Sequence, residues 1–172
     1  MNERGRLFVA VIPPTNVLDL LATIPREPRP DVRYTTREQW HVTLRFLGDA
    51  DIGEASAALQ RVDASSVQAV LGPTVERLGR SVAMVPCAGL DDIAAAVRDA
   101  TDDIEHPLEP RPFVGHLTIA RMKNARRCPA TGFAIAATFT VAEVHLVRSH
   151  LSRDGARYEI VSSRSLRSGS TR

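Results

Sequence analysis

The sequence predicts an α+β protein, and three observations carry that prediction. The stretch Trp40-His41-Val42-Thr43-Leu44-Arg45-Phe46-Leu47-Gly48 has a near copy of its core in Gly115-His116-Leu117-Thr118-Ile119-Ala120-Arg121, both reading His, apolar, Thr, apolar. In each copy apolar and polar residues alternate, which is the period of a strand with one wet face. Between and after them, Ile52 to Val62 and Leu90 to Thr101 carry apolar residues at helical spacing. Strands and helices are interleaved with no long linker, so one domain with mixed elements is expected.

In chain order, Leu7 to Ile12 is a continuous apolar run rich in β-branched and aromatic residues, the signature of a buried strand. Pro13-Pro14 stops it, and Thr15 is placed to cap a short helix carrying Val17, Leu18, Leu21 and Ile24. Pro25, Pro28 and Pro30 make 26–31 a loop, and 32–35 reads as a short strand leading into the first motif. That motif strand runs from Trp40 to Leu47, with Val42, Leu44 and Phe46 pointing to the core and Gly48-Asp49 closing it. Val67 to Leu78 is extended, interrupted at Gly72-Pro73, and Ser81 to Pro86 is its partner across a turn at Gly79-Arg80. The helix from Leu90 starts with Asp91 and Asp92, which suit the positive end of its dipole. Glu105 to Pro112 is a loop entering the second motif, where Leu117 and Ile119 face the core. Lys123 to Thr131 is a basic loop containing Arg126-Arg127. Thr138 to Arg148 and Arg157 to Ser163 are strands joined by a turn at Asp154-Gly155, and 167–172 is expected to be a disordered basic tail.

With 172 residues, 44% of them apolar, the chain is long enough to bury a core. A net charge of only +2 argues against a protein that coats nucleic acid, although arginines close to a site can still focus a phosphate. Cys87 and Cys128 fit neither a CxxC metal site nor a disulfide framework, and read as inert thiols in a reducing cytosol. The N-terminal apolar run is too short for a signal peptide, and no stretch approaches the roughly 20 apolar residues of a membrane helix. A soluble, cytoplasmic monomer is expected.

The repeated motif is where the chemistry lies. Period-2 geometry puts His41 and Thr43 on one face, and likewise His116 and Thr118. An imidazole, with an ordinary pKa of about 6.5, can take a proton when neutral and give one when charged. Phosphate-ester hydrolysis needs both acts, one on the attacking water and one on the leaving oxygen. The threonine hydroxyls can donate to the non-bridging oxygens. Two histidines on facing strands can also bind zinc or copper, but a zinc site usually takes three or four protein ligands, and no Cys, Asp or Glu accompanies these motifs. No metal and no cofactor are expected. His106, His145 and His150 lack a threonine two residues on, and read as surface or packing residues.

The paired His-x-Thr-apolar motifs resemble the two-histidine phosphoesterases, and more closely their RNA 2′,3′-cyclic phosphodiesterase branch, also called 2′-5′ RNA ligases. The likeness covers most of the chain. Arg6 to Pro13 resembles the family's opening strand, Trp40 to Gly48 and Phe113 to Arg121 its two motif strands, and Ser149-His150-Leu151 with Gly155, Tyr158 and Leu166 its closing hairpin. A single His-x-Thr carries little information; two, in order with these flanks, are specific. One departure is Gly115, where the family usually has proline and where glycine leaves the backbone looser.

The resemblance implies two similar lobes within residues 1–166, with antiparallel sheets facing a central cleft and helices outside. It implies hydrolysis of RNA ends bearing a 2′,3′-cyclic phosphate to a 2′-phosphate, with His41 protonating the departing 3′ oxygen and His116 activating water. Thr43 and Thr118 would hold the phosphate. Arg45, by alternation on the face of His41, and Arg121, which tends to be arginine in the family and would need a bulge to reach that face, are further phosphate candidates. Tyr34, Trp40, Phe113 and Tyr158 are candidates for stacking on a base. Two alternatives stand beside this: a phosphodiesterase acting on a small cyclic nucleotide or ADP-ribose cyclic phosphate, and a non-catalytic RNA-end binder.

Overall fold

The strand period and the helix period called for above both appear in a computed structural model of the protein, which describes residues 2–104, 111–124 and 127–169. The elements follow as β1 (Arg4–Val11), α1 (Thr15–Leu21), β2 (Val32–Tyr34), a 3-10 turn (Arg37–Gln39), β3 (Val42–Asp51), α2 (Ile52–Leu59), β4 (Val67–Leu71), β5 (Glu76–Leu78) and β6 (Val82–Ala88). They continue with α3 (Asp91–Ala100), β7 (His116–Met122), β8 (Ala137–Val141), β9 (Glu143–Ser152) and β10 (Gly155–Ser165). His106, Arg126 and most of the loop expected at Glu105 to Pro112 lie outside the described residues.

The strands form two antiparallel groups, β10-β9-β1-β3 and β7-β6-β4-β8, with β2 on β7 and β5 on β6. The groups meet at the pair Val42–Leu117, the residues that follow the two histidines. The expected α+β fold of two antiparallel lobes around a cleft is what the chain adopts. The lobes are not the two halves of the chain, however: β1 and β3 are completed by the C-terminal β9 and β10.

β1 explains how the cleft is floored. Its apolar run is buried on both faces, so it shows no alternation. Leu7, Val9 and Val11 join the main core, with Leu59 of α2 and Ile93 and Val97 of α3. Phe8 and Ala10, on the other face, form a small cluster with Val147 beneath Tyr158. The helices therefore cover the side away from the cleft.

Several local expectations are corrected. Thr15 is the first helical residue of α1, and Pro14 holds the cap position with no side-chain bond. β3 does not end at Gly48. A bulge at Leu47 and a left-handed Gly48 (φ 69°) turn the strand and let it run to Asp51, whose carboxylate accepts from Glu54 N–H at 2.8 Å to start α2. The run Thr138 to Arg148 is two strands: β8 pairs with β4 in one lobe, Ala142 breaks the ladder, and β9 pairs with β1 in the other. Arg167, expected in a disordered tail, is tied in by its N–H to the Ala64 carbonyl and by its own carbonyl to Ser66 N–H.

Candidate active site

The residues just before β3 fix the first histidine. Thr36 N–H donates to Gln39 Oε1 at 2.9 Å, which closes the 3-10 turn, and Gln39 Nε2 donates to the Ala156 carbonyl at 2.7 Å, which ties the turn to β10. Trp40, only 3% exposed, anchors the turn in the core and donates from Nε1 to Thr35 Oγ1 at 3.0 Å. The Thr35 hydroxyl in turn reaches the carbonyls of Thr118 and Ile119, both at 2.9 Å. The approach to one motif is thus bonded to the backbone of the other.

Each histidine is held in the same way. His41 Nδ1 lies 2.7 Å from the Gln39 carbonyl, and His116 Nδ1 lies 2.8 Å from the Val114 carbonyl, two residues upstream in each case. A carbonyl only accepts, so Nδ1 carries the proton and Nε2 is left for proton transfer. His41 Nε2 contacts Thr43 Oγ1 at 2.9 Å. The His41 ring is packed between Phe8, at 4.8 Å between centroids, and the edge of Tyr158, at 5.1 Å. Burial lowers the His41 pKa below 6.5, against the upward pull of the Gln39 carbonyl, and the nearby His116 and Arg121 push it down further.

His41, Thr43, His116, Thr118, Arg121 and Tyr158 line one cleft of about 700 Å³. Arg45 does not. β3 carries a bulge at Leu44, because Thr43 pairs with Ala10 while Arg45 pairs with Val9. The extra residue reverses the alternation. Arg45 therefore turns to the far face, where Nη1 donates to the Arg98 carbonyl at 2.7 Å and to Thr101 Oγ1 at 2.8 Å at the end of α3. Phe46, expected in the core, swings to the cleft and is 58% exposed. β7 carries the matching bulge at Ile119, since Thr118 pairs with Met84 and Ala120 with Ala83. There the same reversal brings Arg121 onto the face of Thr118.

Of the four aromatic candidates, Tyr34 and Tyr158 line the cleft, and Trp40 and Phe113 do not. Trp40 is buried. Tyr34 lines the cleft while packing against the core, and donates its hydroxyl to the Glu27 carbonyl at 2.8 Å; burial, helped by the Cys128 thiol, pushes its pKa up to about 12. Phe113 lines a separate groove. Residues the sequence reading missed are Phe8, Phe46, Arg6, Arg33 and Gln39. Arg33 pairs directly with Arg121 across β2 and β7. Like charges facing each other are unfavourable, and no ion pair of either guanidinium is seen among the described residues. Cys87 and Cys128 are buried and unpaired, and burial pushes the Cys87 thiol up to about 11. Among the described residues no three His, Cys, Asp or Glu side chains gather to hold a metal ion, and no helix is long and apolar enough to cross a membrane.

Gly115 meets a steric demand. Its carbonyl accepts from Cys87 N–H at 2.9 Å, and a Cβ on it would collide with the Cys87 carbonyl oxygen. The backbone entering His116 lies too close to β6 for any side chain.

Two lobes, one cleft and, on each side of it, a histidine with a threonine two residues on make the chain similar to the two-histidine phosphoesterase class. Within it, a curated RNA 2′,3′-cyclic phosphodiesterase of Aeropyrum pernix is 29% identical over 146 residues, covering 71% of this chain and 79% of that protein. Another, from Geobacillus stearothermophilus, is 26% identical over 182 aligned positions, covering 92% of this chain; the chain spans 56% of that relative's length. The solved structure of E. coli LigT complexed with 3′-AMP matches with a TM-score of 0.78 at 24% identity, over 95% of this chain and 99% of that one. No family model matches the chain. The resemblance to the RNA 2′,3′-cyclic phosphodiesterase branch of the two-histidine phosphoesterases holds.

Proposed function

We propose that the protein hydrolyses a terminal 2′,3′-cyclic phosphate on RNA to a 2′-phosphate and a free 3′-hydroxyl, by acid–base catalysis between His41 and His116. The observation that carries this is the matched tethering of the two rings: each Nδ1–H is committed to its own backbone, which leaves two Nε2 atoms on one cleft. In the reaction His116 Nε2 takes a proton from water as its oxygen attacks phosphorus. The P–O3′ bond breaks, and His41 Nε2 gives its proton to the departing oxygen. Which ring does which follows the family resemblance. Because burial and positive neighbours favour neutral His41, the bound phosphate anion helps restore the proton that this step needs.

Thr43 and Thr118 donate to the non-bridging oxygens, and Arg121, backed by Arg33, balances their charge. Tyr158 and Tyr34 are the aromatic candidates on the cleft that can meet the nucleoside. With a 5′-hydroxyl in place of water as nucleophile, the same base and acid join the cyclic end through a 2′-5′ bond as the P–O3′ bond breaks, which is the ligase reaction. We take residues 1–166 as one bilobal domain acting as a cytoplasmic monomer without a metal.

The test is incubation of purified protein, in excess chelator, with a nucleoside 2′,3′-cyclic phosphate and with an RNA ending in one, followed by identification of the product isomer. A 2′-phosphate supports the reading. A 3′-phosphate, or turnover that the chelator abolishes, overturns it.

A further inference from the structure

The bulge at Ile119 is what brings Arg121 to the cleft, so whatever fixes that bulge also fixes the arginine. In a regular strand neighbouring carbonyls point to opposite sides. At this bulge the carbonyls of Thr118 and Ile119 both reach the same residue, Thr35, just past the end of β2. The Thr35 hydroxyl lies 2.9 Å from each carbonyl, and its backbone N–H donates to the Ile119 carbonyl at 2.8 Å. A hydroxyl has one proton to give and two lone pairs. Here the proton is shared between the two carbonyls, and a lone pair accepts from Trp40 Nε1–H at 3.0 Å. Thr35 is half-buried on the wall of the cleft. Because β3 and β7 share only the ladder pair Val42–Leu117, this hydroxyl is a second tie between the two motifs.

We infer that Thr35 is a positioning residue: its hydroxyl clamps the bulge at Ile119 and thereby aims Arg121 at the phosphate. The inference rests on the proposed function and deepens it. Valine at this position has nearly the same shape but no proton to give. A methyl in place of Oγ1 takes the hydroxyl away from two carbonyls and from the Trp40 indole N–H, and a buried polar group left unpaired is costly. Without the clamp the strand can relax toward regular alternation, in which Arg121 leaves the face of Thr118.

The experiment is a double-mutant cycle of Thr35→Val with Arg121→Gln, and Thr35→Ser serves as the conservative variant that keeps the hydroxyl. Three readouts are taken. The first is kcat/KM on cytidine 2′,3′-cyclic phosphate. The second is the Kd of inorganic phosphate, by calorimetry. The third is the indole N–H signal in a proton–nitrogen correlation spectrum: Trp40 is the single tryptophan, so one signal reports its bond to Thr35.

Thr35→Val should lower kcat/KM by roughly 10- to 10²-fold, the scale of a group misplaced by about an ångström, and Thr35→Ser should recover most of that loss. In the Arg121→Gln background the same valine should cost less than about threefold, because the arginine it aims is gone. The indole signal should move in Thr35→Val and stay close to its wild-type position in Thr35→Ser. Equal losses in both backgrounds overturn the inference, since a merely structural hydroxyl gives that result. A moved indole signal with no kinetic loss overturns it as well. Should Thr35→Val fail to fold, Thr35→Cys, whose thiol is a weak donor, takes its place in the same cycle. Should the wild type hydrolyse nothing, the functional reading fails, while the phosphate affinities across the cycle still decide whether Thr35 aims Arg121: non-additive losses support it and additive losses overturn it.

Discussion

The two motif strands invite comparison, because they are the same device with different cargo. In β3 and in β7 the histidine is followed two residues later by threonine, and one residue after that comes a bulge, at Leu44 and at Ile119. The bulge reverses which side chains face the cleft. The residues at matching stations are then Arg45 with Ala120, both turned away from the cleft, and Phe46 with Arg121, both turned toward it. One lobe presents an aromatic ring where the other presents a cation. A phosphate flanked by a nucleoside needs both, and the repeat supplies one from each side.

The largest effect expected from breaking this pairing is at the histidines. His41→Ala and His116→Ala should each lower kcat/KM on a nucleoside 2′,3′-cyclic phosphate by about 10²- to 10⁴-fold. Circular dichroism should show the fold retained in both. A loss under tenfold in both would end the acid–base assignment, and a loss confined to one would make the second lobe a binding surface.

Next comes the contrast between the two arginines. Arg121→Gln should cost about 10²-fold in kcat/KM, in line with loss of a donor to developing charge. Arg45→Gln should leave turnover of the nucleoside substrate within about twofold, yet lower stability by about 1–2 kcal/mol as the hydrogen bonds at the end of α3 go. Steady-state rates and urea melts on the two variants measure both quantities. Equal kinetic losses would mean that Arg45 reaches the phosphate after all.

The bulge itself can be tested by stability alone. Leu44, 6% exposed, belongs to the core, whereas Phe46, two residues on, is 58% exposed. Leu44→Ala should therefore cost about 2–5 kcal/mol. Phe46→Ala should cost less than about 1 kcal/mol, as fits an exposed site. Simple alternation would make both large; similar melts for the two variants would remove the bulge from the account.

These bulges mark the limit of what the sequence discloses. The strands, α2, α3 and the paired motifs were legible because their periods are local, and the resemblance supplied the two-lobed frame. A bulge leaves no mark in so short an alternation: Leu44 and Ile119 read as ordinary apolar positions, and their phase is set by partners far away in the chain. The same holds for the aromatic candidates. β2 has three residues, too few to say which face Tyr34 takes; in the fold it is half-buried, packed against the core and lining the cleft. Phe8 could have been found, because an apolar run buried on both faces leaves alternate residues to floor something other than the helix-covered core. The crossing at Ala142 was hidden because the run on either side of it is evenly β-prone.

The smallest expected effect separates the environment of His41 from the rest of the protein. Its pKa is lowered in the folded state, chiefly by burial, so the unfolded chain takes up the proton first as pH falls. The contribution to stability is then whole above about pH 6.5 and is lost as pH drops from there toward the lower folded value. His145, also lowered by burial against the pull of Glu143, has the same sign. Glu38 and Glu159, whose pKa values are lowered, act in a different window: their contribution is present above the ordinary carboxylate value of 4.5 and fades below it. Between about pH 6.5 and 4.5 the histidines are therefore read nearly alone. Urea melts through this interval should show stability falling with pH in the wild type and falling less in His41→Gln, with the remaining slope due to His145. An unchanged slope would mean that His41 in the closed lobe pays no more to carry a proton than it does in water, and its packing between Phe8 and Tyr158 would lose its electrostatic meaning.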